Sequence, residues 1–218
     1  MEAKNWIEKT VAFVKETLQN AEGGHDWWHT YRVWQNARTI AATEQVDLIT
    51  VELGALLHDI ADAKFHNGDE GIGPAVARAF LLSILVEKDR TEHIENIIRN
   101  ISFRTNIGSN SEKFDSKELA VIQDADRLDA IGAIGIARAF NYGGFKNRSL
   151  YDPNVPANLN MTKEEYAKSS APTINHFYEK LLLLKSKMKT ETGKKMAEDR
   201  HSFMEKYLLQ FYKEWGGR

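Results

Sequence analysis

The stretch LLHDIADAKFH, residues 56–66, sets His58, Asp59, Asp62, Lys64 and His66 against an apolar run of Leu53, Leu56, Leu57 and Ile60. Burying an unpaired charge costs several kcal/mol, so each polar group there needs a partner, water or neutralisation. At about 100° per residue on a helix, the leucines and Ile60 form one stripe. His58, Asp59 and Asp62 fall within an arc of about 100° on the other side. Val51 and Ala55 share that side upstream, which reads as covered rather than wet, and Ala55, Ala61 and Ala63 leave room beside the polar groups. Imidazole with carboxylate is a set that binds divalent metal. The pair alone decides little, because a second His-Asp occurs at His25 and Asp26.

Two further segments could complete such a site. In VIQDADRLDAIGAIGIARAF, residues 121–140, apolar residues cover nearly every face, so Asp124, Asp126 and Asp129 read as buried, with Arg127 the nearby cation. Asp124 has an alternative as a helix N-cap; for Asp126 a bound cation is the more economical partner. In HDWWHTYRVW, residues 25–34, His25, His29 and Arg32 share a helix face at spacings of four and three. Histidines four apart ligate zinc or form a surface pair with about equal ease.

The elements that must hold these groups are helices. Apolar residues recur at spacings of three and four, with almost no strand-like alternation. The pattern predicts helices over about 6–18, 26–44, 48–61, 73–86 and from Asp89, with Glu92 as its capping-box partner. Further helices are expected over 116–128 and 130–141. Residues 141–160 hold two of the four prolines, two glycines and five asparagines, which predicts a long loop or lid. Thr162 with Glu165 marks a new helix start, and 172–190 and 191–215 read as two long helices forming an αα-hairpin. The expected fold is all-α, a helical bundle with that C-terminal hairpin, in a single domain. Its parts are a core over 20–140, a loop over 141–161 and an extension over 162–218. The Lys-rich KSKMK in the hairpin is most simply a solvated face.

Composition narrows the chemistry. The 218 residues carry 29 Lys and Arg against 31 Asp and Glu, a net charge of -2, which gives no global field for a nucleic-acid polymer. A small anionic ligand needs only a few local cations. With no cysteine, thiolate catalysis and Cys-type metal sites are excluded. The charged N-terminus and the short apolar run AFLLSILV predict neither a signal peptide nor a membrane span, hence a cytoplasmic protein. A monomer or homodimer is expected.

H-x-x-R-V at 29–33, LLHD at 56–59 and ADRL at 125–128, in that order, resemble the signature of the HD superfamily of metal-dependent phosphohydrolases over about residues 20–140. HDIADAKF, NISF, QDADRLDAIGAIGIAR, HFYEKLL and DRH extend the resemblance to its bacterial YpgQ/YedJ-like branch. The resemblance implies that His29, His58, Asp59 and Asp126 are the metal ligands and that Asp62 is the acidic group after the HD pair. Alarmone hydrolases carry a second acid where this chain has Ala63, which argues against that activity. Two-metal members add a His-His pair between the HD pair and the final aspartate; here His66 and His93 stand alone, which favours one ion. The donor set suits Mn first, with Fe, Co, Ni, Zn or Mg as alternatives.

By that resemblance the activity is hydrolysis of a small nucleotide, nucleoside triphosphate to monophosphate and pyrophosphate, with Asp62 handling the proton and Lys64 neutralising phosphate charge. Arg104 and Arg127 are further phosphate candidates, Asp124 and Asp129 orient ligands or arginines, and His25 contacts substrate or caps its helix. Arg32 completes the first motif. The alternatives are a non-catalytic nucleotide or metal sensor, a phosphomonoesterase or phosphodiesterase, and a di-iron oxygenase of the same fold.

Overall fold

A computed structural model describes residues 2–19, 24–61, 71–101 and 114–218 of the chain. Among these residues there is no strand, and the helices are α1 (Glu2–Thr17), α2 (Trp27–Ala41), α3 (Leu48–Leu57), α4 (Ile72–Ser83), α5 (Lys88–Ile101), α6 (Lys117–Asp129), α7 (Gly132–Phe145), α8 (Lys163–Lys168), α9 (Asn175–Glu179) and α10 (Glu191–Trp215). None of the helices among the described residues is long and apolar enough to cross a membrane. The chain divides into two compact units, residues 1–126 and 127–218, with the division inside α6.

In the first unit α3 is the central element, packed against α1, α2 and α5. Every residue from Thr50 to Leu57 is buried, because its sequence is apolar on all sides. Gly54 permits the closest approach: a Cβ there would stand 2.7 Å from Ile122 Cδ1 of α6. Asp47 starts α3 by accepting from the Thr50 amide at 2.7 Å, and α2 and α3 are tied by Arg38 Nε to Glu52 at 2.8 Å. Leu53, Leu56, Leu57, Leu81, Ile94 and Ile98 make the core on the stripe side of α3, as expected.

α5 begins at Lys88, so Asp89 lies inside its first turn and is not an N-cap; Glu92 turns instead toward Arg78 at 3.7 Å. The carboxylate at Asp89 still sits where the positive end of the helix favours it.

In the second unit the capping box at α8 forms as expected, Thr162 Oγ1 accepting from the Glu165 amide and Glu165 from the Thr162 amide. Two expectations fail. Helix α7 runs on through Gly143 and Gly144 to Phe145, because Gly143 serves packing and does not break the helix. A Cβ there would stand 2.2 Å from Thr173 Oγ1. Residues 172–190 do not form a long helix: α9 is five residues and two 3₁₀ turns, Leu181–Leu183 and Lys185–Lys187, follow it. The break is at Lys180, with φ -143° and ψ -57°. Buried Phe177, Leu181, Leu184 and Met188 keep helical spacing, which tighter turns satisfy equally well. The hairpin therefore has one long arm, α10, capped by Thr190 and buried along Gly193, Ala197, Met204 and Leu208.

Within α9, burial holds the His176 imidazole down to about 4, reinforced by Lys180 and Arg148, and its Nδ1 pairs with the Tyr166 hydroxyl. The folded ring binds its proton more weakly than the unfolded one, whose value is 6.5. Its contribution to stability is therefore complete above pH 6.5 and lost as pH falls toward 4. Between pH 7 and 5 this costs about 2 kcal/mol. Urea unfolding at the two pH values should show that loss in the wild type, and His176→Gln should remove most of it; an unchanged pH dependence in the variant refutes the assignment.

Candidate metal centre

Three segments of the first unit carry the site. Asp26 caps α2 by accepting from the His29 amide at 2.9 Å, so His29 lies in the first helical turn. Its side chain points inward on the buried stripe that also holds Val33, Asn36, Ala37 and Ile40. α3 stops at Leu57, earlier than the expected 61, and His58 is its C-cap, with Asp59 in the turn that follows. Asp126 comes from α6. Asn36 Nδ2 donates to the Ala125 carbonyl at 3.3 Å, fixing α2 beside the turn of α6 that bears Asp126.

The donors converge. His58 Nδ1 lies 2.8 Å from the Ala55 carbonyl, which can only accept, so the proton is on Nδ1 and Nε2 is turned inward with its lone pair. His58 Nε2 is 3.3 Å from His29 Nε2. Asp59 Oδ2 lies 3.4 Å from His29 Nε2 and 3.5 Å from His58 Nε2, and Asp126 Oδ1 lies 3.6 and 4.0 Å from the same two atoms. Donor atoms about 2.1 Å from one ion sit about 3.0 Å apart at right angles and about 3.4 Å apart at the tetrahedral angle. The observed separations fall around those values, so His29 and His58 can share one divalent ion with either carboxylate. His29, His58 and Asp126 form one group able to hold an ion, and His25, His29 and Asp59 form an overlapping one.

The electrostatics agree with a cation at this point. Burial alone would raise the Asp59 carboxyl, but positive charge at His58, a proton on the ring where no ion is bound, and hydrogen bonds from His25 and His29 outweigh it and hold the group well below the usual carboxylate range. Two imidazole lone pairs facing at this distance repel unless a proton or metal lies between them. The histidine side chains are 3% and 2% exposed whereas that of Asp126 is 45% exposed, so the centre is sealed on the histidine side and open at Asp126.

The model of the HD domain matches residues 27–131. YpgQ of Bacillus subtilis (strain 168) is 37% identical over 212 residues, covering 96% of this chain and 94% of YpgQ. The chain belongs to the HD-domain family. The crystal structure of an HD-superfamily hydrolase from Bacillus thuringiensis superposes with a TM-score of 0.79 at 40% identity, covering 99% of this chain and 100% of that one. The crystal structure of B. subtilis YpgQ in complex with ADP superposes with a TM-score of 0.77 at 32% identity, covering 98% and 97%. The HD domain is a metal-dependent phosphohydrolase domain that binds a divalent cation, and this chain is a hydrolase.

The other candidates of this HD domain are distributed unevenly. Asp62, Lys64, His66 and Arg104 lie outside the described residues. Asp124 is fully buried in the middle of α6; Ser116 caps that helix, accepting from the Leu119 amide at 3.0 Å, so the N-cap reading of Asp124 is excluded. Residues 121–140 are two helices; Ala133 and Ile134 on the second are exposed, and Asp126, expected to be buried, has a side chain 45% exposed, so the all-round burial expected there holds only for residues 121–125 and 128–129. Asp129 is buried and paired with Arg138, a partner nine residues on that the local spacing did not bring forward. Arg127 donates to the Lys187 carbonyl at 3.0 Å. Arg32 is half-buried on α2. His93 pairs with Glu118 at 3.3 Å, away from the four donors. His25 contacts Asp59 and does not cap α2, a task that Asp26 performs. The contributions of Asn36 and the Ala55 carbonyl were missed; Asn36 had a signal, seven residues from His29 on the same face, and a backbone carbonyl has none.

Proposed function

We propose that this chain hydrolyses a phosphoanhydride of a small nucleotide, most simply a nucleoside triphosphate to monophosphate and pyrophosphate. The two imidazole Nε2 atoms 3.3 Å apart, each 3.4–4.0 Å from an oxygen of Asp59 and of Asp126, carry the reading. ADP in the YpgQ crystal supports a nucleotide as the ligand class.

A divalent ion on His29, His58, Asp59 and Asp126, Mn first among Fe, Co, Ni, Zn and Mg, would supply Lewis acidity and make water a nucleophile near neutral pH. The residues do the rest. His58 keeps its lone pair inward through the Ala55 bond, and the buried histidines exclude water on one side while Asp126 leaves the other side accessible. Asp62, four residues after His58 in the sequence, takes the proton of the attacking water. Lys64 and Arg104 neutralise charge on the phosphate oxygens as the leaving pyrophosphate departs.

Two measurements test this. Purified protein with Mn²⁺ should release pyrophosphate from at least one member of a nucleoside triphosphate panel, read by product chromatography; release of neither phosphate nor pyrophosphate from any nucleotide sinks the reading. Asp62→Ala should keep its metal by elemental analysis while turnover falls at least about a hundredfold. An undiminished rate removes the proton-handling role.

A further inference from the structure

His25 is a histidine that four-fold ligation leaves unused, and its geometry differs from that of the four donors. Its Nδ1 lies 2.5 Å from Asp59 Oδ2, the oxygen that also faces His29 and His58. Two atoms bound to one ion at about 2.1 Å stand about 3.0 Å apart or more, so 2.5 Å is too short for two ligands. It is a hydrogen bond, shorter than the usual charge-assisted N–H···O contact. A carboxylate oxygen accepts, so His25 Nδ1 carries the proton, and a protonated ring nitrogen does not bind metal. The ring stands edge-on to His29, with centroids 5.7 Å apart, and its side chain is 32% exposed.

We propose that His25 is a positioning residue of the metal centre: its Nδ1–H engages one lone pair of Asp59 Oδ2, aims the other at the two imidazoles, and so sets the affinity for the divalent ion. The proposal rests on the reading of His29, His58, Asp59 and Asp126 as a metal site. Outer partners that orient a ligand are typically worth about 10- to 100-fold in metal affinity. The geometry also decides between the two overlapping groups. His25 serves the shared Asp59 as a hydrogen-bond donor, and the centre takes one ion, not two.

The test titrates metal-stripped protein with Mn²⁺ and follows the free ion by electron paramagnetic resonance, a readout independent of turnover. His25→Ala should weaken binding about 10- to 100-fold. His25→Asn, whose amide N–H replaces Nδ1–H, should recover to within about threefold. In an Asp59→Ala background the His25→Ala change should cost nothing more, since the group it acts through is gone. If His25→Ala does not fold, His25→Asn should still bind more tightly than His25→Gln, whose donor is one bond too far. Unchanged affinity in His25→Ala, an equal loss with and without Asp59, or a second Mn²⁺ equivalent that His25→Ala abolishes would overturn the proposal. A wild type that binds no Mn²⁺ overturns the metal centre with it. A wild type that binds Mn²⁺ with this pattern and cleaves no nucleotide removes only the substrate assignment.

Discussion

Replacing His58 with alanine is expected to empty the centre of metal and to abolish hydrolysis while the helices remain formed. Loss of an outer partner typically costs about 10- to 100-fold in affinity, and loss of a donor must exceed that, so turnover should fall at least about a thousandfold. The change also leaves Asp59 Oδ2 without the imidazole 3.5 Å away that offsets its charge. Elemental analysis after dialysis should find about one ion per wild-type chain and less than about a tenth in the variant. Asp126→Ala should do the same with less damage to packing, since its side chain is far more exposed than that of His58. One equivalent of metal retained in either variant would mean that the ligand set is wrong.

The largest loss of stability is expected from Asp129→Ala. Asp129 is 2% exposed and accepts from Arg138, and Arg200 lies close by, its Nη1 donating to the Leu128 carbonyl at 2.5 Å. The stem of Arg200 crosses Gly132, where a φ of +75° favours glycine and a Cβ would sit 3.0 Å from Arg200 Cβ and Cγ. Truncating Asp129 leaves the Arg138 charge without its carboxylate, a change that costs about 3–5 kcal/mol in a buried pair. Arg138 can partly rehydrate, its side chain being 29% exposed, which places the expected value at about 3 kcal/mol. Urea unfolding should show this in metal-free protein, with Asp129→Asn recovering part of it. A variant within about 0.5 kcal/mol of wild type would show that the pair contributes nothing net.

The readable and unreadable parts of the sequence separate by physical cause. The capping box announced by Thr162 and Glu165 forms where expected, because the side chains that start α8 are local. The 172–190 segment misleads because Phe177, Leu181, Leu184 and Met188 bury with the same period in short turns as in a helix. Gly143 and Gly144 mislead in the opposite sense, as a glycine needed for close packing against Thr173 looks the same in sequence as one that ends a helix. The histidines are legible from residue type, burial pattern and motif order, Asp126 from type and motif order alone, and the fold brings these residues together. Asp129 was read as short of cationic partners because Arg138 and Arg200 lie on other helices, beyond any local spacing.

The early stop of α3 has a further consequence. The Ala55 carbonyl, which a continuing helix would commit to its backbone ladder, instead receives the His58 ring, and Ile60 bonds back to Leu57 in a tighter turn. The ring is thus held three residues from its own anchor, in the rotamer and tautomer that coordination needs, before any ion arrives. Freezing a side chain on binding typically costs about 0.5–1.5 kcal/mol. For His58 that ordering is completed when the chain folds, so helix termination here is itself a form of preorganisation for the ligand.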